Sequence, residues 1–229
     1  MKVIEQSFRV LTDLSDEKAI LRNIELAGRV CYKSEYKITE GSCEAFVKGI
    51  IKKGHESVIE HALITVSIIT DRGVTHELVR HRLSSFSQES TRYVNYEKKG
   101  MQVILPVNFS EEAKEILLSQ TDFSAEALAE LEQKLSKQEF LWISTNSHIN
   151  DVYDFSVTNP GDVMSKAQDA RGILPNSLKT EIVISANPRQ WRNILKLRTG
   201  AGAHPQIKAL ASDILGEFKE KLPTLFGDL

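Results

Sequence analysis

The sequence has 229 residues, 41% hydrophobic and 26% charged, the range of one soluble globular domain. A formal net charge of -2 leaves no global basic field for nucleic acid, and no run approaches the ~20 apolar residues of a membrane span. Met1 to Gln6 lack the apolar core of a signal peptide, and Cys31 and Cys43 form neither a CxxC pair nor a disulfide framework, so the expectation is a cytoplasmic protein.

Residues 2–10 alternate as a strand should. Ser15 is placed to cap a helix over about residues 16–31, with Ala19, Ile20, Ile24, Ala27 and Val30 as its apolar stripe. A second helix over about residues 42–53 stops at Gly54. The β-branched run 62–70 reads as a strand, 71–82 as helix and 85–95 as extended chain. Ser110 is placed to cap a short helix, 124–149 reads as one long helical stretch and 160–170 as another helix. Residues 178–186 read as a buried strand, and Asn187-Pro188 opens a helix with a capping residue and a proline at its first position. The last helix runs from about Pro205 to Lys221, with Ile207, Leu210, Ala211, Ile214, Leu215, Phe218 and Leu222 on its apolar face. This irregular alternation predicts an α+β (mixed α/β) class. A central sheet is flanked by helices in one domain over 1–229, with a helical segment around 110–150 projecting from the sheet.

Arginine placement is more informative than net charge. Four of the 11 arginines lie in residues 72–92 (Arg72, Arg80, Arg82, Arg92) and four in 171–198 (Arg171, Arg189, Arg192, Arg198). Those windows hold only Lys179 and Lys196 of the 18 lysines. Arginine without lysine points to planar, bidentate recognition of phosphate or carboxylate; the plainer alternative is ordinary ion pairing. If residues 85–95 are extended, Gln88, Ser90 and Arg92 share one face and offer amide, hydroxyl and guanidinium donors to a nucleotide.

Rival motifs fail on spacing. Gly200-Ala201-Gly202 has Pro205 in place of the third glycine of a dinucleotide fingerprint. His55 and His61 are six apart rather than four, which argues against a metal site. No GxSxG elbow is present, and Cys31 and Cys43 fall in predicted apolar helix faces, where burial is the usual state. His61 and His76 read as structural, Glu60 as support for a neighbouring histidine, Arg192 as a surface residue, Trp142 and Trp191 as packing, and His148 as exposed.

Arg80-His81-Arg82, then Ser85, Ser90 and Arg92, resembles the signature of the flavin-dependent thymidylate synthases (ThyX type), RHRxxSxxxxSxR, at every fixed position. Gly54-His55-Glu56-Ser57 with Glu60-His61, Thr75 to Val79, Arg171 to Pro175, and Asn187-Pro188-Arg189 with Asn193 and Arg198 resemble further blocks of that family in order. The resemblance implies FAD bound by His55, Ser57, Arg80, His81, Arg82, Leu83 and Gln88, with Asn187, Arg189 and Asn193 from another chain of a homotetramer. It implies dUMP held by Glu77, Arg80, Gln88, Glu89, Ser90, Thr91, Arg92 and Arg171, and Arg198 as the catalytic group favouring ionisation at N3 of the uracil. It also implies 5,10-methylenetetrahydrofolate as carbon donor and NADPH as reductant in methylating dUMP to dTMP, without a cysteine nucleophile. His204 is a further position for a flavin contact. The alternatives are an inactive FAD- or nucleotide-binding homologue, which would make no dTMP, and a nucleic-acid-binding module, whose affinity would fall steeply with salt.

Overall fold

The computed structural model describes residues 1–159, 161 and 164–229. In chain order the strands are β1 (Lys2–Ile4), β2 (Ser7–Val10), β3 (Ile64–Asp71), β4 (Ser84–Gln88), β5 (Gln102–Ile104) and β6 (Lys179–Ala186). The first helices are α1 (Glu17–Val30), α2 (Ser42–Lys52), α3 (Arg72–Leu78), α4 (Tyr96–Lys99), α5 (Glu111–Ser119) and α6 (Ala125–Lys134). They are followed by α7 (Lys137–Thr158), α8 (Ala167–Ala170), α9 (Pro188–Arg198), α10 (Pro205–Lys221) and α11 (Pro223–Phe226). The class is mixed α/β, as the sequence predicts. A four-stranded sheet has the order β2-β3-β6-β4, and β1 pairs in parallel with β5 in a separate two-stranded sheet. The chain divides into two compact units: Met1–Ser7, Ile69–Leu78 and Gln88–Ile182 form the first, and Phe8–Ile68, Val79–Ser87 and Val183–Leu229 the second.

In the first unit, β1 and β5 align Val3 with Val103, and both are fully buried. They share a core with Leu105, Ala113, Leu117, Leu131, Leu135 and Ile143, so the helical segment around 110–150 closes over this small sheet. A second cluster gathers Tyr96, Met101, Tyr153, Ala170 and Leu178. In the second unit, α9 and α10 pack through Trp191 and Phe218, edge to face at 5.4 Å. The Trp191 indole donates to the Ile64 carbonyl at 2.9 Å, satisfying the one polar atom of a buried ring.

Several boundaries differ from expectation for identifiable reasons. The predicted strand 2–10 breaks at Glu5-Gln6, because β1 pairs with β5 while β2 belongs to the other sheet. Asp16, not Ser15, caps α1 by accepting from the Ala19 amide. The helix after β3 ends at Leu78. The extended segment ends at Gln88, and a turn follows in which the Ser90 carbonyl accepts from Tyr93 and Val94 while its hydroxyl accepts from Arg92 N–H. Gln88, Ser90 and Arg92 therefore do not share a strand face. The stretch 124–149 is two helices separated at Leu135-Ser136, and the second continues to Thr158. The predicted helix 160–170 falls partly outside the described residues; within them it is the single turn α8. Cys43 is buried as expected, but Cys31, at the C-terminus of α1, is exposed.

Gly54 takes the left-handed conformation, φ 71°, that ends α2, and Ser110 and Asn187 cap their helices as predicted. No helix among the described residues is long and apolar enough to cross a membrane.

Glu139 brackets the helical segment of the first unit. One carboxylate oxygen accepts from the amide and hydroxyl of Ser110, at 3.0 and 2.9 Å. The other accepts from the Ser136 amide at 2.9 Å, completing a capping box, so one side chain ties together the starts of α5 and α7. The Ser136 side chain, with the Ser110 and Ser136 amides, holds its carboxyl down to about 2 against the opposing effect of burial. Glu139→Gln should cost about 1–3 kcal/mol of stability in urea unfolding followed by circular dichroism, because donors made for an anion lose it. The stabilisation is whole above the ordinary carboxyl value of 4.5 and is lost as pH falls from there towards 2, so the gap between wild type and variant should close over that window.

Candidate functional site

In the second unit, α9 turns predicted residues towards one cavity. The Asn187 side chain accepts from Gln190 N–H at 2.8 Å and Pro188 occupies the first turn, which starts the helix at a defined point. Arg189, Asn193 and Lys196 then recur at i, i+4 and i+7, one face of a helix. With Asn187, Leu83, Glu56 and Glu60 they line a cavity of about 560 Å³. The opposite face, Trp191, Ile194 and Leu195, is buried. Arg189 donates to Glu60 at 2.7 Å, so Glu60 supports an arginine rather than a histidine.

Arg192 is not a surface residue. It is buried, makes a bidentate pair with Asp228 at 2.6 and 2.7 Å and also donates to the Leu225 carbonyl. That pair holds the Asp228 carboxyl below its usual range. Arg192, Gln190, Lys196 and Glu56 line the same cavity and were not among the site residues expected from the sequence. The helical spacing from Arg189 would have found Lys196. Asp228, 36 residues from Arg192, carries no such signal.

The last residue of α9, Arg198, donates from Nε to His81 Nε2 at 3.0 Å. Two distant parts of the sequence meet in this hydrogen bond. His81 is buried, and burial, followed by the Arg198 charge, lowers its pKa. The neutral ring can therefore accept, which orients the guanidinium. Arg80 and Arg82 flank it, exposed, and make no ion pair among the described residues.

His55 and Ser57 line a different cavity in the second unit, about 800 Å³, together with Cys31, Arg29, Tyr32 and Lys53. His204 caps α10, its Nδ1 accepting from Gln206 N–H at 3.3 Å. His61 and His76 are exposed, as is His148 on α7. No group of three or more metal-binding side chains occurs among the described residues.

The first unit holds the other predicted residues. The Gln88 amide donates to the Thr75 and Thr180 hydroxyls at 3.0 and 3.3 Å, which orients the end of β4. Glu89 accepts from Lys179 at 2.8 Å and from the Tyr96 hydroxyl at 3.1 Å. Thr91 is buried and Glu77 half-buried on α3. Arg92 is exposed, its guanidinium 5.4 Å from the centre of the Tyr93 ring, and Arg171 is exposed at the end of α8. The structure thus brings Arg198 to His81, and Leu83, Asn187, Arg189 and Asn193 to one cavity, while His55 and Ser57 line another.

These donor sets suit anionic, planar ligands. Arginine, lysine and amide groups around one cavity fit phosphate oxygens, and a cavity of this size is in the range for small-molecule sites.

Comparison with known proteins gives a consistent result. A family model described as thymidylate synthase complementing protein matches residues 13–224. A flavin-dependent thymidylate synthase of Mycobacteroides abscessus is 34% identical over 213 residues, covering 90% of this chain and 78% of that protein. One from Corynebacterium diphtheriae is 32% identical over 227 residues, covering 96% of this chain and 82% of its own. Among solved structures, Thymidylate Synthase X (ThyX) from Helicobacter pylori with FAD and dUMP aligns with a TM-score of 0.67. It is 21% identical over 97% of this chain and 98% of that one, a likeness of fold.

Nitrogen-15 NMR should find His81 neutral at pH 7, with Nε2 bare and a midpoint below the ordinary 6.5. A midpoint at or above that value would mean the ring does not accept from Arg198. The sign for stability follows: the contribution of the neutral ring is whole above 6.5 and is lost as pH falls from there towards the lowered folded value.

Proposed function

The chain belongs to the thymidylate synthase complementing protein family, and we propose that it is a flavin-dependent thymidylate synthase that methylates dUMP to dTMP. The observation that carries the reading is the Arg198–His81 hydrogen bond, because it joins the Arg80-His81-Arg82 signature to the late arginine the chemistry needs. A guanidinium is a cation, and one fixed beside N3 of a uracil stabilises the anion formed there.

In this reading Arg80, Gln88, Ser90, Thr91, Arg92, Arg171 and Glu77 hold the nucleotide, whereas the Glu89 carboxylate, engaged by Lys179 and Tyr96, does not. FAD is held by His55, Ser57, Arg80, His81, Arg82, Leu83 and Gln88 of one protomer and by Asn187, Arg189 and Asn193 of another. The donors of Arg189 and Asn193 suit its diphosphate, and Glu60 steadies Arg189 in the meantime. Reduced FAD supplies hydride to complete the methyl group, with NADPH as reductant and 5,10-methylenetetrahydrofolate as carbon source. The enzyme acts as a cytoplasmic homotetramer, each chain one catalytic domain over 1–229. Cys43 is buried, and neither cysteine serves as nucleophile.

Purified protein should be yellow and bleach on adding NADPH; a preparation that stays colourless with added FAD would count decisively against the reading. Arg198→Ala should lower turnover by about 10²–10³ while retaining flavin. Equal loss of both would remove its proposed role. Replacing Cys31 and Cys43 together with Ala should leave activity measurable by dTMP formation; complete loss in a folded, flavin-bound protein would revive a thiol mechanism.

A further inference from the structure

Glu89 sits next to Ser90 and three residues before Arg92, which is an awkward place for an anion if a nucleotide phosphate is to bind there. The structure deals with it inside the first unit. Lys179, the first residue of β6, meets one carboxylate oxygen at 2.8 Å, and the Tyr96 hydroxyl meets the other at 3.1 Å. Both charged side chains are largely covered, 16% exposed at Glu89 and 18% at Lys179. The Glu89 amide, just past the end of β4, also donates to the Glu181 carbonyl of β6 at 2.8 Å.

The donors are themselves well anchored. Tyr96 is 4% exposed, opens the short α4 behind the Asn95 cap, and packs edge-on against Tyr153 of α7 at 6.0 Å. Burial, then the Glu89 charge, pushes its phenol well above the usual range, so it remains a donor. Arg92, by contrast, makes no ion pair among the described residues; its guanidinium lies over the Tyr93 ring, and its backbone amide donates to the Ser90 hydroxyl.

Resting on the thymidylate synthase reading, we infer that Lys179 and Tyr96 are positioning residues that clamp Glu89 inward, neutralising it beside the nucleotide phosphate and leaving Arg92 unpaired to receive that phosphate. Without Lys179 the carboxylate keeps its charge and loses its stronger partner. It then repels a dianionic phosphate and competes for Arg92. The defect is electrostatic, so removing the Glu89 charge as well relieves it. A purely structural pair behaves differently, because losing both partners does not restore affinity for one ligand.

The test uses the full, FAD-loaded chain, with dUMP affinity from calorimetry and KM and kcat from dTMP formation. Lys179→Met is expected to raise KM for dUMP about tenfold or more, with kcat and flavin content within about twofold. Adding Glu89→Gln should bring the affinity back to within about threefold of wild type, and Lys179→Arg should retain it. Tyr96→Phe, which removes a single hydroxyl, is expected to raise KM about threefold and decides the matter if Lys179→Met does not fold. Unchanged KM in both single variants overturns the inference. So does a joint loss of kcat, flavin and dUMP binding that Glu89→Gln does not relieve. A wild-type protein that binds no dUMP strikes at the reaction itself, whereas wild-type binding with unaffected variants strikes only at the clamp.

Discussion

A guanidinium acts at a defined place only if something fixes its plane. In the second unit a buried imidazole contributes to this for Arg198, because burial keeps the ring neutral and a neutral ring nitrogen can accept. The rest of the candidate site depends on this contact. It ties the turn carrying Arg80, His81 and Arg82 to the last residue of α9, and the start of that helix, set by Asn187 and Pro188, decides which side chains reach the adjoining cavity.

The arginines sort into three kinds according to what they meet. Arg192, bidentate to Asp228, and Arg29, on the buried Glu25, spend their charge inside the second unit. Arg189 is intermediate: it is half exposed on Glu60 and can exchange that partner for a ligand at little cost, since exposed pairs contribute little. Arg80, Arg82, Arg92 and Arg171 make no ion pair among the described residues, which is the state in which a phosphate-binding group must wait. In the first unit Glu89 is likewise turned inward, onto Lys179.

The helical segment around 110–150 takes no part in these contacts. Its capping box and the shared Glu139 carboxylate explain its order, and its apolar face closes the core over β1 and β5. Its constraints are volume and capping, which many sequences meet equally well.

Local physics made much of this molecule legible from the sequence. Asn187-Pro188, Ser110 and Gly54 act through atoms within three or four residues of themselves, so their helix ends could be read directly. The β-branched runs at β3 and β6 and the apolar face of α10 follow from periodicity, and the 80–92 signature resembled the family at every fixed position. Partners far apart in sequence were beyond reach. The three residues of β5 become a strand only because β1, a hundred residues earlier, lies beside them. Arg192 turned out buried because Asp228 waits at the far end of the chain, and Glu89 turned inward because Lys179 arrives from β6. Hydrogen-bond capping and side-chain period are short-range and leave a pattern in the string; the pairing of charges is decided by which segments the fold brings within a few ångströms, and that leaves none.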